Sequence, residues 1–141
     1  MKIEILSEIN KSALERLHQL MKQLCPTCPP LNLDHYKKMI DHPTTLLIVS
    51  KKEDLILGCL TLAWYPIPTG LRMWIEDVVV DENYHGRHIG EELVFFAMKQ
   101  ARQLGGRILD LTSRPDRIAA NKLYQKLGFE KRVTNPYRLK L

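Results

Sequence analysis

The sequence predicts a single α/β domain with a mixed sheet, and three observations support that prediction. The chain has 141 residues, which suits one hydrophobic core spanning residues 1–141 and leaves little room for a second. Short apolar runs typical of strands alternate with segments whose apolar residues recur every three or four positions, as in helices. In the middle of the chain a long helix joins two strands, which is the pattern of a parallel crossover connection.

The N-terminal half is expected to contain three strands and two helices. The predicted elements are a strand at 2–6, helices at 9–24 and 33–40, and strands at 44–50 and 55–65. KIEIL alternates polar and apolar residues, as strands do. In the first helix Leu14, Leu17 and Met21 recur at helical steps, and the helix ends at CPTCPP because proline cannot continue it. The last two strands flank a short turn and therefore form a hairpin.

Cys25 and Cys28 form a CxxC motif within this break. A zinc site would need a second pair of ligands at suitable spacing, and none stands out. A redox motif is expected after a strand and at the start of a helix, whereas this one follows a helix and precedes two prolines. We therefore expect the two thiols to be ordinary loop residues. With Cys59 the cysteines number three, so they cannot all be paired within one chain.

The central stretch, residues 74–104, combines a strand, a loop and a long helix. The strand is rich in β-branched residues, and the loop carries Gly86 and Gly90 on either side of Arg87. A loop that delivers free backbone N–H groups to a helix N-terminus forms an anion site, and phosphate is the expected ligand. A turn that binds nothing is the alternative at this point, because many strand–turn–helix junctions contain two glycines.

The C-terminal third completes the predicted order β-α-α-β-β-β-α-β-α-β-β. Gly105 and Gly106 end the long helix, and RILDLT at 107–112 predicts a strand. A helix is expected at 117–127 and ends at Gly128. The last predicted strand starts at Phe129 and continues at 137–141.

Composition narrows the classes of function. The formal charge of +5 and pI near 9.2 permit a nucleic-acid partner, yet the Lys and Arg residues are dispersed without a basic block. A mild positive bias suits an anionic small molecule equally well. No signal peptide and no apolar run of membrane-spanning length is visible, so we expect a cytoplasmic protein without a membrane partner.

Two segments and the order of the elements resemble the GCN5-related N-acetyltransferases, the GNAT family. The segments are IEDVVVDENYHGRHIGEEL at 75–93 and RPDRIAANKLYQKLGFE at 114–130, of which AANKLYQKLGF is the more specific. The resemblance implies the acyl-CoA N-acyltransferase fold, with a mixed, mostly antiparallel sheet flanked by helices. It also implies acetyl-CoA as co-substrate, no metal, and a small-molecule or possibly peptide amine as acceptor. We expect a monomer or homodimer with no nucleic-acid partner.

The resemblance assigns cofactor-binding roles to particular residues. The pyrophosphate loop corresponds to His85, Gly86, Arg87, His88, Ile89 and Gly90, whose backbone N–H groups would hold the phosphates. Gly90 matches the family pattern, whereas His85 stands where the family has Arg or Gln, and His88 also departs from it. Left-handed backbone at His88 would cost about 1 kcal/mol and lower CoA affinity. Exposed histidines with no ligand contact are the alternative.

Five further residues are assigned by the same resemblance. The backbone of Val78, Val79 and Val80 would pair with the pantetheine arm as an added strand, and an N–H there would face the thioester carbonyl. Asn121 and Tyr124 match positions that contact the CoA arm and protonate the departing thiolate. From the residues alone, the apolar side of its helix favours a core tyrosine at Tyr124, and the resemblance favours the catalytic role.

A general base is needed because an ammonium has no lone pair with which to attack. Glu76 and Asp77 lie on the central strand, and strand alternation predicts that they point to opposite faces. We expect Glu76 to be the base, directly or through water, with Asp77 or water as alternatives. An ion pair with Arg72 is the non-catalytic alternative for Glu76.

Two other functions remain open from the sequence. One is a non-catalytic module of the same fold that binds CoA or another nucleotide; the other is a basic nucleic-acid binder whose affinity falls steeply with salt. The acceptor pocket is expected between the first two helices, residues 25–30 and residues 66–70. The sequence contains no code for the acceptor itself.

Overall fold

The computed structural model describes residues 1–141 and contains one five-stranded sheet in the order β1-β2-β3-β4-β5. The strands are β1 (Lys2–Ile5), β2 (Thr45–Lys52), β3 (Leu55–Ile67), β4 (Gly70–Val80) and β5 (Leu109–Asp110). The helices are α1 (Lys11–Leu24), α2 (Leu33–Asp41), α3 (Ile89–Gln103) and α4 (Ile118–Lys126). β1 to β4 are antiparallel and β5 is parallel to β4, which confirms the predicted mixed, mostly antiparallel sheet.

The two faces of the sheet carry separate hydrophobic clusters. α1 and α2 cover one face, where Leu17, Leu20 and Tyr36 pack against residues of β2 and β3. α3 and Tyr124 of α4 cover the other. Asparagine side chains begin both helices of the first face: Oδ1 of Asn10 accepts from the N–H of Ala13 at 2.8 Å, and Asn32 caps α2 in the same way. No helix is both long and apolar enough to span a membrane.

β4 separates from β5 soon after the two strands meet. The only paired positions are Met73 with Leu109 and Trp74 with Asp110, so β5 is much shorter than the predicted strand at 107–112. Beyond Trp74, β4 continues to Val80 with β3 on one side and no strand on the other. Side chains contact the Val78 and Val80 carbonyls in this part of β4, and the edge is otherwise open to pairing with an extended ligand.

A bulge interrupts the pairing of β4 with β3. Thr61 lies opposite Glu76 and Cys59 lies opposite Val79, so β4 contains an extra residue, and Asp77 has a φ of 52°. The prediction that Glu76 and Asp77 point to opposite faces is therefore wrong. Glu76 shares the face of its cross-strand partner Thr61, and Asp77 lines a cavity together with Thr61 on that same face.

The C-terminal segment also differs from the prediction. Residues 129–141 contain no strand, although their alternation of apolar and polar residues is typical of one. A strand needs a partner for its backbone groups, and β5 is only two residues long. The apolar residues Val133, Tyr137, Leu139 and Leu141 are consequently exposed.

A disulfide closes the loop between α1 and α2. Cys25 and Cys28 lie in a loop as predicted, but their sulfur atoms are bonded, which the sequence pattern did not indicate. Pro26, Pro29 and Pro30 restrict the same loop, so its backbone has little freedom. Cys59 remains a free, buried thiol.

A buried ion pair fixes the loop that follows β4 to α1. Asp81 is almost fully buried and its carboxylate accepts from the guanidinium of Arg16, from the Asn83 N–H at 2.9 Å and from the Asn83 side-chain amide at 3.0 Å. Nε of Arg16 also donates to the Ile56 carbonyl at 2.7 Å. The hydrogen bond from Arg16 is the largest cause of the lowered pKa of Asp81.

We expect Asp81→Asn to lower the free energy of unfolding by about 3 kcal/mol, because it leaves the Arg16 charge buried without a partner. The effect depends on pH. A carboxyl whose pKa is lowered on folding stabilises the protein above its unfolded value, here 3.8, and the stabilisation is lost as pH falls through the folded pKa. Urea unfolding of both proteins from neutral pH downwards should therefore show a difference that shrinks in acid. Asp116→Asn is the control, since its pair with Arg114 is exposed and should contribute little.

Candidate active site

The loop between β4 and α3 presents a row of unpaired backbone donors. The first hydrogen bond of α3 runs from the N–H of Glu92 to the carbonyl of His88 at 3.0 Å. None of the N–H groups of residues 86–91 donates to a backbone carbonyl or a side chain. These donors lie at the positive end of a 15-residue helix, and this is the arrangement that binds phosphate.

The two histidines that depart from the family pattern make contacts within the loop. Nε2 of His85 lies 2.9 Å from the Val80 carbonyl and ties the loop to the end of β4. His88 is left-handed, with a φ of 61°, so it carries the backbone cost of about 1 kcal/mol considered above. Its Nδ1 lies 3.1 Å from Oε2 of Glu91, which directs the ring toward the carboxylate of the first helical turn.

Glu91 would oppose an anion at this helix terminus, but its charge is already paired. Nζ of Lys126, on α4, lies 2.9 Å from both carboxylate oxygens. The bond from Lys126, followed by that from His88, lowers the pKa of Glu91. The Arg87 guanidinium lies over the ring of Tyr84, 5.1 Å from its centroid, so a cationic side chain is also present beside the free N–H groups.

Tyr124 is buried and lies close to a positive charge. Its ring contacts Phe129 edge to face, with 6.0 Å between centroids. Burial raises the pKa of the Tyr124 hydroxyl, and the Arg117 guanidinium opposes that rise. Nη2 of Arg117 also donates to the Val78 carbonyl at 3.1 Å, so this one side chain connects the start of α4 with the open edge of β4. No local pattern in the sequence indicated this role of Arg117.

A cavity of about 1170 Å³ forms a cleft between α3, α4, β5 and the C-terminal segment. Asn121 and Tyr124 line it, but the loop at 85–90 and residues 78–80 do not. The predicted cofactor residues are therefore not gathered in one cavity. Nδ2 of Asn121 donates to the Arg114 carbonyl at 2.9 Å and so orders the loop before α4.

Glu76 and Asp77 lie together at the bulge of β4. Burial, followed by the charge of Asp77, raises the pKa of Glu76. Glu76 makes no ion pair, and Arg72 instead lies over the Trp74 ring at 6.0 Å from the centroid. The proposed alternative of a Glu76–Arg72 ion pair is therefore not present.

A second cavity of about 580 Å³ lies between the sheet and α1–α2. Leu47, Cys59, Thr61 and Asp77 come from the sheet, and the loop at 25–30 contributes from the other side. Of the elements predicted to surround the acceptor, α1, α2 and the loop at 25–30 line this cavity, whereas residues 66–70 do not. No group of three or more His, Cys, Asp or Glu side chains is arranged to hold a metal ion.

A mostly antiparallel sheet whose β4 edge opens beside the N-terminus of α3 defines the acyl-CoA N-acyltransferase fold. The acetyltransferase (GNAT) family model matches residues 11–129. The chain belongs to this family. A search of curated proteins gives no match.

Solved structures agree with this assignment of the fold. A putative acetyltransferase from Agrobacterium tumefaciens is 20% identical, with a TM-score of 0.86 over the full length of both chains. An acetyltransferase from Trypanosoma brucei is 26% identical, with a TM-score of 0.79 over 99% of each chain. The aminoglycoside acetyltransferase AAC(6')-Iy in complex with a CoA-containing bisubstrate analogue is 19% identical, with a TM-score of 0.77 and full coverage of both chains.

Proposed function

We propose that this protein is an acetyl-CoA-dependent N-acetyltransferase that acts on the amine of a small molecule by direct transfer. The observation that carries the proposal is the open edge of β4, which leads directly to the free N–H groups of residues 86–91. Phosphates of CoA would bind to those donors, and the pantetheine arm would run along residues 78–80. The AAC(6')-Iy structures with CoA and a CoA-containing analogue support the same use of the fold.

The proposed reaction begins when Glu76 removes a proton from the substrate ammonium, directly or through water. The amine nitrogen then attacks the thioester carbonyl, and a backbone N–H of β4 stabilises the resulting oxyanion. Collapse of the intermediate breaks the carbon–sulfur bond and releases the CoA thiolate, to which Tyr124 gives its proton. The second nitrogen proton and the proton held by Glu76 pass to solvent, and solvent returns one proton to Tyr124. The products are the acetamide, free CoA and one released proton.

The two carboxylates at the bulge suit different tasks. Because the pKa of Glu76 is raised, its carboxylate accepts a proton more readily than an ordinary one at the same pH. Asp77 lines the 580 Å³ cavity and is placed to attract the ammonium of the substrate. On the other side of β4, Arg117 supplies a positive charge next to the Tyr124 hydroxyl and favours the phenolate left after proton transfer.

The test of the function is the release of free CoA from acetyl-CoA in the presence of a panel of primary amines. Release of CoA that depends on an amine would support the N-acetyltransferase. Tight CoA binding without release for any amine would indicate instead a binding module of the same fold. A protein that bound duplex DNA in a strongly salt-dependent manner, without affinity for CoA, would contradict both.

If Glu76 is the base, we expect Glu76→Gln to lower kcat by roughly a hundredfold, as is common for loss of general-base help, with unchanged CoA binding. Asp77→Asn should shift the acidic limb of the rate–pH profile to lower pH, because the Asp77 charge contributes to the raised pKa of Glu76. The measurements are kcat and kcat/KM against pH. A Glu76→Gln enzyme with the full rate and the same limb would assign the base to Asp77, to water or to the free amine already in solution.

A further inference from the structure

We propose that the acceptor is a primary amine with one positive charge on an apolar aliphatic or aromatic body, and that polycationic amines are excluded. The proposal rests on the acetyl transfer proposed above and narrows its substrate class. It is drawn from the 580 Å³ cavity between the sheet and α1–α2, hereafter the acceptor cavity, which falls within the range of roughly 300–1,000 Å³ usual for small ligands.

The acceptor cavity offers negative charge at one end only. Asp77 is the single acidic residue among the 19 that line it. Glu76 lies beside Asp77 on the same strand, so both carboxylates serve the same ammonium. Three lining residues carry or can acquire a positive charge, namely His18, Lys22 and His35. Nothing in the lining therefore compensates a second ammonium away from β4.

The walls away from Asp77 favour an apolar body. Aliphatic side chains come from both helices and the sheet, namely Leu17, Met21, Leu24, Met39 and Leu47. Burying the methylenes of a substrate against these side chains is favourable. An ammonium moved into the same surroundings without a partner loses its hydration, so it must either stay outside or give up its proton.

One ring nitrogen of His18 is already in contact with the protein, and the loop above the cavity is restricted. Nε2 of His18 lies 2.6 Å from the Leu31 carbonyl, and the ring contacts Tyr36 edge to face at 5.9 Å. This histidine thus holds the loop to α1 rather than offering a polar contact to a hydroxyl-rich substrate. The Cys25–Cys28 disulfide and its neighbouring prolines restrict the loop above the cavity. The single acidic residue and the apolar walls make an aminoglycoside, the substrate class in the name of AAC(6')-Iy, a poor match for this cavity.

The test compares kcat/KM for matched amines with the intact protein and saturating acetyl-CoA. Hexylamine and phenylethylamine carry one charge, hexamethylenediamine has the length of hexylamine with a second charge, and kanamycin is a polycationic aminoglycoside. We expect kcat/KM for hexylamine and for phenylethylamine to be at least tenfold higher than for the diamine. The difference from kanamycin should be larger still.

A variant that adds a charge tests whether the apolar wall causes the preference for singly charged amines. Met21→Glu places a carboxylate in the apolar wall and should reduce the preference for hexylamine over the diamine at least tenfold. Met21→Gln has nearly the same shape without the charge and should leave the preference intact. Met39→Glu and Met39→Gln repeat the comparison from α2, in case the α1 variants unfold.

The outcomes separate this inference from the proposed function. Preference for kanamycin or the diamine, or an equal response to Glu and Gln at these positions, would overturn the inference while acetyl transfer stood. Absence of CoA release with every amine, despite CoA binding, would instead overturn the proposed function, and the inference with it.

Discussion

Tyr124→Phe is expected to reduce turnover by about 10²–10⁴-fold, the usual contribution of a general acid, while acetyl-CoA binding and melting temperature stay near normal. The change keeps the ring, its burial and its contact with Phe129, and removes only the hydroxyl. A typical tyrosine pKa near 10 is about 1.5 units above that of a thiol near 8.5, so full proton transfer would be uphill by roughly 2 kcal/mol.

Burial makes this cost larger by raising the pKa of Tyr124, and the position of Arg117 limits the increase. Its guanidinium lowers the pKa of the Tyr124 hydroxyl against the rise caused by burial, so the phenolate is less costly to form than in an apolar core alone. Arg117→Lys is a useful companion because it keeps a charge but loses the planar donor fork that reaches the Val78 carbonyl. The role of Tyr124 is tested by measuring steady-state kcat, CoA affinity and melting temperature of the Tyr124→Phe protein. Turnover within about twofold of wild type would leave Tyr124 as a core residue and assign the proton to another donor.

Gly90→Val is expected to weaken CoA binding by at least a hundredfold, or about 2.7 kcal/mol, in a protein that still folds. A Cβ at position 90 would lie 3.5 Å from Cδ2 of Leu123 and 3.7 Å from Cγ2 of Val80, which are ordinary contacts. We expect the additional methyl groups of valine to overpack this junction. They would push the start of α3 away from α4 and β4, and the free N–H groups of the loop would move with it.

Two variants test this explanation. Gly90→Ala adds only the Cβ and should bind CoA within a few-fold of wild type. Leu123→Ala combined with Gly90→Val restores space and should recover part of the lost affinity. Calorimetric titration with CoA gives the affinities, and circular dichroism confirms the fold. Unchanged affinity in a folded Gly90→Val protein would contradict the assignment of the loop, whatever the other two variants show.

Local signals in the sequence were enough to predict most elements of the fold. Proline after α1, apolar residues at helical steps and alternation in β1 act within a few neighbours, and α1 ends at Leu24 as expected. The glycines around Arg87 indicated an anion site for the same reason, because free N–H groups and a helix terminus arise from consecutive residues. The resemblance at 114–130 then supplied the chemistry that local pattern alone leaves open for Tyr124.

Only the tertiary structure decided the features that depend on residues far apart in the chain. The bulge at Asp77 depends on the pairing of β4 with β3, and it places both carboxylates on one face, against strand alternation. The bond from Arg117 to the Val78 carbonyl spans 39 positions, and the bonds from Lys126 to Glu91 span 35. The segment at 129–141 shows the converse, since a strand pattern cannot form a strand without a neighbour to accept its hydrogen bonds.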